Sequence, residues 1–583
     1  MQFVDSSGGV QIAVYEEGNP DGPTIVLVHG WPDSHVLWDG VAPLLADRFR
    51  ILRYDNRGVG SSSAPKSTAE YRMSCYADDF AAVVNTLAPG EKVHVLAHDW
   101  GSAGIWEYLA RPDARDRIES YTSLSGPSID HVNRFVMGNL KRPYRPRRFA
   151  QALGQTLPLS YMALFSVPRL APMAVRKVVA DRLTLMLKNR DGIPADQVHH
   201  SQTYKSDAAN SLKVYGANYF RGFISARRDH YVDVPVQLIV NTRDPFVRPY
   251  VYADTQNWVP RLWRRDIHAG HWSPMSHPAT IARSVHQFAD FLEGKPPSRE
   301  LLRAQAGRAR EEFGDTLVSV TGAGSGIGRA TALEFARLGA ELVISDVDEA
   351  GVKETAATIA SRGGVAHAYT LDVADADAVE QFAETVCAEH GVPDVVVNNA
   401  GVGHTGMFLD TPRDQYDRVL NINFGGVVNC CRSFGRRLVD RGAGGHVVNV
   451  SSMAAYSPQQ SMNAYATSKA AVFMFGDCLR AELDQAGIGL TTVCPGVIDT
   501  NIVHTTRFDV PANKAERVDA RRAQIEKAFA VRRYGPDKVA KAIVSSVKKN
   551  KAIRPVAPEA YLLYGVSRIL PQVMRSTARG NVL

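Results

Sequence analysis

Leu317-Val318-Ser319-Val320-Thr321-Gly322-Ala323-Gly324-Ser325-Gly326-Ile327-Gly328 is the stretch on which the fold turns. The short apolar run at its head reads as a buried strand, the glycines as a tight turn, and residues 329–338 as a helix. Glycines let a backbone approach a pyrophosphate, and a helix N-terminus supplies N–H donors and a favourable dipole. Such a run alone is weak evidence, but between a strand and a helix it is strong. The next strand, Glu341-Leu342-Val343-Ile344-Ser345, ends at Asp346, 18 residues past Gly328. A carboxylate at that spacing accepts from a ribose 2′-OH and repels a 2′-phosphate, which favours NAD over NADP. Asp348 is a weaker candidate for the same role, and Asp372 is placed to meet the adenine.

The same strand, glycine turn and helix grammar recurs along the chain. Apolar runs at 24–28 and 93–97 begin such units in the first half, and runs at 394–397 and 446–450 in the second. Continuous apolar runs alternating with helices indicate parallel sheets covered on both faces, an α/β architecture. Residues 130–225 break the alternation and read as an inserted helical cap. Gly294-Lys295-Pro296-Pro297-Ser298 stops the first half, and the charged stretch after it lacks a strand pattern. Domains are therefore expected at 1–295 and 315–583, joined by a linker over 296–314.

With 583 residues, the chain exceeds what one hydrophobic core holds. Its 45% apolar and 22% charged residues are those of a globular protein, not of a disordered or collagen-like one. The net charge of +7 is small for this length, and no basic recognition element or stacking motif accompanies it, so no nucleic-acid role is expected. Six scattered cysteines without a Cys-x-x-Cys pair argue against a disulfide framework or zinc site, so no metal is expected and a reducing cytoplasm fits. Neither a secretory signal nor an uninterrupted spanning stretch is visible. Leu562, Val566, Ile569, Leu570 and Val573 follow helical spacing near Lys548, Lys549, Arg568 and Arg575. This tail reads as a packing face for its own domain or a partner subunit, with peripheral contact on an anionic membrane as the alternative. Pro571 should end or kink a helix there.

In the second half, Tyr465 and Lys469 lie four apart, on one helical face. An ammonium there should lower the tyrosine pKa, so that Tyr465 accepts a proton from an alcohol as hydride leaves its carbon. Ser452, 13 residues earlier, would bond the substrate oxygen.

In the first half, Val93-His94-Val95-Leu96-Ala97 runs into His98-Asp99-Trp100-Gly101. This matches a nucleophile elbow with Asp99 where ester hydrolases place serine. A serine that opened an epoxide would form an ether, which water does not readily cleave. A carboxylate forms an ester instead, so Asp99 suits substitution at carbon. Asp244 follows the strand 236–240, and His271 follows later. The order Asp99, Asp244, His271 is that of this elbow's triad, with His271 as base for water and Asp244 holding its ring. The N–H groups of Trp31 and Trp100 are the candidate oxyanion hole.

His29 to Pro32, Tyr54 to Ser61, His98 to Gly101, Asp244 and His271 together resemble the α/β-hydrolase-fold epoxide hydrolases over residues 1–295. That resemblance implies two cap tyrosines that protonate the opened epoxide. Tyr161, in Ser160-Tyr161-Met162-Ala163, fits the first. In Asn218-Tyr219-Phe220-Arg221, Phe220 stands where the second belongs, with Tyr219 and Tyr215 nearby. Residues 315–570 resemble the short-chain dehydrogenase/reductases. Through that resemblance Thr321, Gly322, Ser325, Gly326, Ile327 and Gly328 hold the cofactor, with Asn399, Ala400, Gly401, Pro495, Gly496 and Thr500. Asn423 takes the family's proton-relay position, and Asn421 is a nearby decoy.

The expected architecture is an N-terminal α/β-hydrolase fold with a helical cap, followed by a Rossmann-type doubly wound parallel sheet. The whole arrangement resembles actinobacterial (mycobacterial) epoxide hydrolase–dehydrogenase fusions. It implies epoxide hydrolysis to a vicinal diol and NAD-dependent oxidation of a secondary alcohol, on apolar or lipid-like substrates, with self-association through the dehydrogenase domain. Two alternatives stand beside it. In one, motivated by Phe220, the first domain is a non-catalytic lipid-binding module. In the other it is a dehalogenase.

Overall fold

The computed structural model describes residues 1–156, 160–191, 193–224, 231–499, 506–509 and 534–578. Thr500 and the side chain of Phe220 lie outside the described part. The chain divides into two compact units, Met1–Arg308 and Ala309–Leu583.

The first unit is built on eight strands: β1 (Gln2–Ser6), β2 (Val10–Gly18), β3 (Thr24–Val28), β4 (Arg50–Tyr54), β5 (Val93–His98), β6 (Ile118–Leu124), β7 (Val236–Asn241) and β8 (Leu262–Ile267). Their order is β1-β2-β4-β3-β5-β6-β7-β8. β2 runs antiparallel to both β1 and β4, and every other pair is parallel. All residues of β3, β5 and β7 are buried. Alternation along β3 explains this. Val26 and Val28 join a core with Phe80, Val83 and Ile105 on one face. Ile25 and Leu27 join Trp38, Leu45 and Val285 on the other.

Between β6 and β7 the chain leaves the sheet. It forms helices over Ile129–Leu140, Pro146–Thr156, Tyr161–Phe165, Leu170–Ala174, Ala180–Asn189, Tyr204–Ser211 and Lys213–Ile224. The stretch read from sequence as a linker is in part a helix, Arg299–Ala304, that packs on the first unit. Its Leu301 and Ala304 are buried against Trp263 and Phe288. Three apolar positions among charged neighbours, two of them buried, are too few to show as a periodic pattern.

The second unit has β9 (Leu317–Thr321), β10 (Glu341–Asp346), β11 (Ala366–Thr370), β12 (Val395–Asn398), β13 (His404–Gly406), β14 (Gly445–Val450), β15 (Ile488–Pro495), β16 (Arg507–Asp509) and β17 (Ile553–Val556). Seven of them form a parallel sheet ordered β11-β10-β9-β12-β14-β15-β17, and β13 pairs with β16 apart from it. The order reverses between β9 and β12, the switch point at whose carboxyl ends such sheets bind ligands. Near the C-terminus Pro571 ends one helix, Pro558–Ile569, and opens another, Pro571–Thr577. No described helix is long and apolar enough to cross a membrane. All six cysteines are free thiols.

Candidate active sites

Asp99 stands where β5 meets the helix Asp99–Leu109, with φ at +47°. An L-residue in this left-handed region is strained, and such strain at a strand–helix turn thrusts the side chain out of the sheet. Glycines make the turn possible. A Cβ on Gly30 would strike the Asp99 carboxyl group, one on Gly101 the His29 carbonyl, and one on Gly126 the Asp99 carbonyl. The Trp31 N–H donates to Asp99 Oδ2 at 3.0 Å, and the Trp100 N–H also donates to this carboxylate. The two groups expected to form an oxyanion hole therefore grip the nucleophile itself. Burial raises the Asp99 pKa, and these donors and the charge of His271 counter it only in part.

Behind Asp99, His271 Nε2 lies 3.8 Å from Asp99 Oδ1, and His271 Nδ1 lies 2.8 Å from Asp244 Oδ2. Asp244 Oδ1 accepts from the N–H groups of Phe246 and Val247, which fixes its orientation. Burial works to raise the Asp244 pKa, but the His271 charge and these bonds overcome it and hold it below the ordinary value. Burial likewise works to lower the His271 pKa. The carboxylates, Asp244 foremost and then Asp99, overcome it and raise it to about 9. His98 shows what this interior does to an imidazole that lacks such a partner: burial lowers its pKa to about 3.

In front of Asp99 the cap supplies an aromatic cluster. Tyr161 and Tyr215 are hydrogen-bond partners, and the Trp100 side chain bonds Tyr215. The Tyr161 and Tyr215 rings lie 5.8 Å apart, and Tyr215 also meets Trp31 and Trp100 edge-on. Burial raises both phenol pKa values, and the Asp99 charge adds to it. Tyr215, one of the two stand-ins for Phe220, is thus the tyrosine that meets Tyr161. A cavity of about 120 Å³ opens beside Asp99, lined mainly by apolar groups such as Ile129, Val132, Met162 and Phe246. Asp33 is a carboxylate that sequence reasoning missed. It is 3% exposed, accepts from the Trp272 indole at 2.9 Å, and has its pKa raised by burial to about 7. Its signal was its place directly after His29-Gly30-Trp31-Pro32.

In the second unit the glycine turn closes on itself. Gly322 has φ at +66°, and a Cβ on it would press the Ala400 backbone at 2.7 Å. A Cβ on Gly328 would strike the Gly322 carbonyl. Such close backbone approaches leave the cradle that a pyrophosphate needs. Ser325 directly precedes the helix Gly326–Arg337, which includes Ile327, and its side chain makes no capping bond. The Thr321 hydroxyl accepts from the N–H groups of Asn399 and Ala400, and the Asn399 amide donates to the carbonyls of Thr321 and Gly322. Asp346 Oδ2 accepts from the Gly324 N–H at 2.7 Å, so the carboxylate borders the turn. Asp372 is exposed and accepts from the Ala374 N–H.

Ser452, Tyr465, Lys469 and Asn423 converge at the ends of β12 and β14. Ser452 and Tyr465 share a hydrogen bond. The Lys469 ammonium lies 6.0 Å from the Tyr465 ring centre and donates to the Val450 carbonyl at 3.0 Å. Asn423 sits in a π-turn, Asn421–Gly425, with its amide bonded to Val402 and Ser468. A Cβ on Gly401 would lie 3.0 Å from Asn423 Oδ1 and 3.2 Å from Lys469 Nζ, which explains the glycine there. Pro495 ends β15, and the Gly496 N–H bonds the Val556 carbonyl. One electrostatic expectation is corrected. Burial raises the Tyr465 pKa against the Ser452 bond, and burial lowers the Lys469 pKa to about 8. Burial disfavours the charged form of each group.

Residues 316–510 match the short chain dehydrogenase family and residues 23–278 the alpha/beta hydrolase fold family. A Mycobacterium tuberculosis protein named "Probable oxidoreductase EphD" is 68% identical over 586 residues, covering 100% of this chain and 99% of its own. The chain belongs to the EphD family. Its first unit is an α/β-hydrolase fold, and its second is an NAD(P)-dependent short-chain dehydrogenase/reductase that takes a small-molecule substrate. Within the second unit, the 1-deoxy-11-beta-hydroxypentalenate dehydrogenase of Streptomyces exfoliatus is 39% identical over 186 residues, 32% of this chain and 68% of that protein. A short-chain dehydrogenase/reductase from Burkholderia phymatum, solved in complex with NAD, is 27% identical. It covers 46% of this chain and 98% of its own, at a TM-score of 0.42.

Proposed function

We propose that the first unit hydrolyses an epoxide to a vicinal diol through an ester on Asp99, and that the second oxidises a secondary alcohol to a ketone with NAD, or runs the reverse. The observation that carries the first half is a carboxylate held by two N–H groups between a paired histidine behind and two bonded tyrosines in front. Asp99 Oδ1 attacks an epoxide carbon and the C–O bond of the ring breaks. Tyr161 or Tyr215 gives its proton to the departing oxygen. His271 then takes a proton from water, which attacks the Asp99 carbonyl carbon. The N–H groups of Trp31 and Trp100 hold the oxyanion that forms on Oδ2. Collapse expels the ester oxygen, which takes the remaining water proton from the new carboxyl group to complete the diol, and the proton on His271 replaces the one the tyrosine gave.

In the second unit Thr321 to Gly328, Asn399 to Gly401 and Asp346 would hold the dinucleotide. Bound NAD supplies the hydride acceptor. Ser452 orients the alcohol oxygen, Tyr465 takes its proton, and Lys469 with Asn423 passes that proton outward. The Asp346 carboxylate beside Gly324 supports NAD over NADP. The apolar lining beside Asp99 supports an apolar, lipid-like substrate. Leu562, Ile569, Leu570 and Val573, all exposed within one chain, support a contact surface on the dehydrogenase unit, with self-association or peripheral membrane contact as its use.

The test is turnover of a lipophilic epoxide in 18O-water without NAD, followed by intact mass spectrometry. The expected result is a transient adduct on the Asp99 peptide, 18O later retained in that carboxylate, and loss of both in Asp99→Asn. Absence of any adduct across a panel of epoxides would return the first unit to a binding role. Halide release from haloalkanes in place of diol formation would make it a dehalogenase.

A further inference from the structure

Away from both sites, three side chains that no sequence motif joins meet at the base of the dehydrogenase sheet. β10 begins at Glu341, and its register with β11 pairs Val343 with His367. Glu341, two residues before Val343, therefore lies on the same face as His367 and Tyr369. The helix Ala376–Glu389 packs on that face, because Val343 shares a core with Phe382 and Val386. Its C-terminal cap is His390, which brings a second imidazole to the same corner.

The groups are in contact. Glu341 Oε1 lies 2.9 Å from His367 Nε2. The His367 and His390 rings stack with centres 3.9 Å apart. The Tyr369 hydroxyl is 2.7 Å from His390 Nε2 and donates to Glu389 Oε2 at 2.9 Å. One ligand atom from each of Glu341, His367 and His390 lies within 4.8 Å of the other two. Four-coordinate zinc, with bonds of about 2.0–2.2 Å, spaces its ligand atoms roughly 3.3–3.6 Å apart. Binding therefore requires the ligand atoms to draw together and one of the two imidazoles, stacked at 23° to each other, to turn so that both direct a nitrogen at the ion.

We propose that Glu341, His367 and His390 form a binding site for a zinc-class divalent cation that ties β10 and β11 to the end of the helix covering them. Two imidazoles and one carboxylate suit zinc and its first-row neighbours, whereas calcium and magnesium take oxygen ligands. The side chains are 25%, 32% and 13% exposed, which leaves an entry path and a fourth position for water. Asp346 stands at the far end of the same strand, about 17 Å away at the rise of an extended chain. The ion therefore holds the strand that presents Asp346 and takes no part in hydride transfer.

The test uses the full chain stripped with chelator and titrated with zinc sulfate against a chromophoric competitor. One zinc per chain is expected, weakened at least about tenfold in His367→Ala and in His390→Gln. Zinc at a hundredfold excess over Kd should raise the melting temperature of the dehydrogenase transition by roughly 5–10 °C in the parent chain alone. NADH binding by fluorescence, unchanged in zinc-free buffer, confirms that the variants fold. Should either variant fail to fold, zinc must instead protect His367 and His390 of the parent chain from diethylpyrocarbonate, read by peptide mass spectrometry. No binding, binding equal in parent and variants, or no protection of these two histidines would each overturn the proposal.

Discussion

Replacing Asp99 by asparagine removes one negative charge and keeps the shape, as forming an ester on Asp99 would. His271 Nε2 is 3.8 Å from Asp99 Oδ1, and the Asp99 charge is among those that raise the imidazole to about 9. Two unit charges about 4 Å apart interact by roughly 4 kcal/mol at an effective dielectric of 20. At 1.36 kcal/mol per unit this bounds the loss at about three pKa units. His271 in Asp99→Asn should therefore titrate one to three units lower, between about 6 and 8. Esterification removes the same charge and so shifts His271 toward the neutral imidazole that accepts a proton from water. Nuclear magnetic resonance titration of the His271 ring in parent and Asp99→Asn measures the shift directly. A ring that still titrates near 9 in the variant would refute this electrostatic coupling. A stability consequence shares the sign. The folded pKa of His271 is raised above its unfolded value, so its stabilisation is full below about 6.5 and is lost as pH climbs to about 9.

Tyr215→Phe and Tyr161→Phe should each slow ester formation by about 10- to 100-fold while leaving ester hydrolysis nearly unchanged, measured by stopped-flow with a fluorogenic epoxide. If Tyr215→Phe matches the parent, Tyr161 acts alone. Asp346→Asn should shift the NAD-to-NADP preference, read as kcat/KM ratios, by at least about tenfold toward NADP, since removing one charge beside a 2′-phosphate is worth about 1–2 kcal/mol. Gly328→Ala should abolish cofactor binding or folding of the dehydrogenase unit, because its Cβ has only the Gly322 carbonyl to occupy. Isothermal titration with NADH and circular dichroism separate the two outcomes.

The strands were legible because their chemistry is local. The runs at 24–28, 93–97 and 317–320 are apolar on consecutive residues, as doubly covered strands must be, and they appear as β3, β5 and β9. The elbow at Asp99 and the turn at Gly322 were legible for a related reason. Each needs small residues at fixed offsets, and the Cβ clashes at Gly30, Gly101 and Gly328 show why. The edge strand β1 and its neighbour β2 mix polar, exposed residues with buried ones and gave no comparable signal.

What stayed hidden depends on chain segments brought together by the fold. Tyr215 precedes the motif position held by Phe220, and only the packing of the helix Lys213–Ile224 against Tyr161 brings it to that tyrosine, while Tyr219 of the same helix lines the cavity beside Asp99. Net pKa values also escaped, because spacing reveals a Tyr465–Lys469 pair but not how much water each loses. Burial pushes both toward their neutral forms, the opposite of what the pair's attraction alone predicts. Asp33 and Asp99 illustrate the same rule from the other side. Both are buried carboxylates with raised pKa values close to His271, yet only Asp99 has the left-handed backbone that aims its oxygen into the cavity. Position on the backbone, and not acidity, separates the candidate nucleophile from its neighbour.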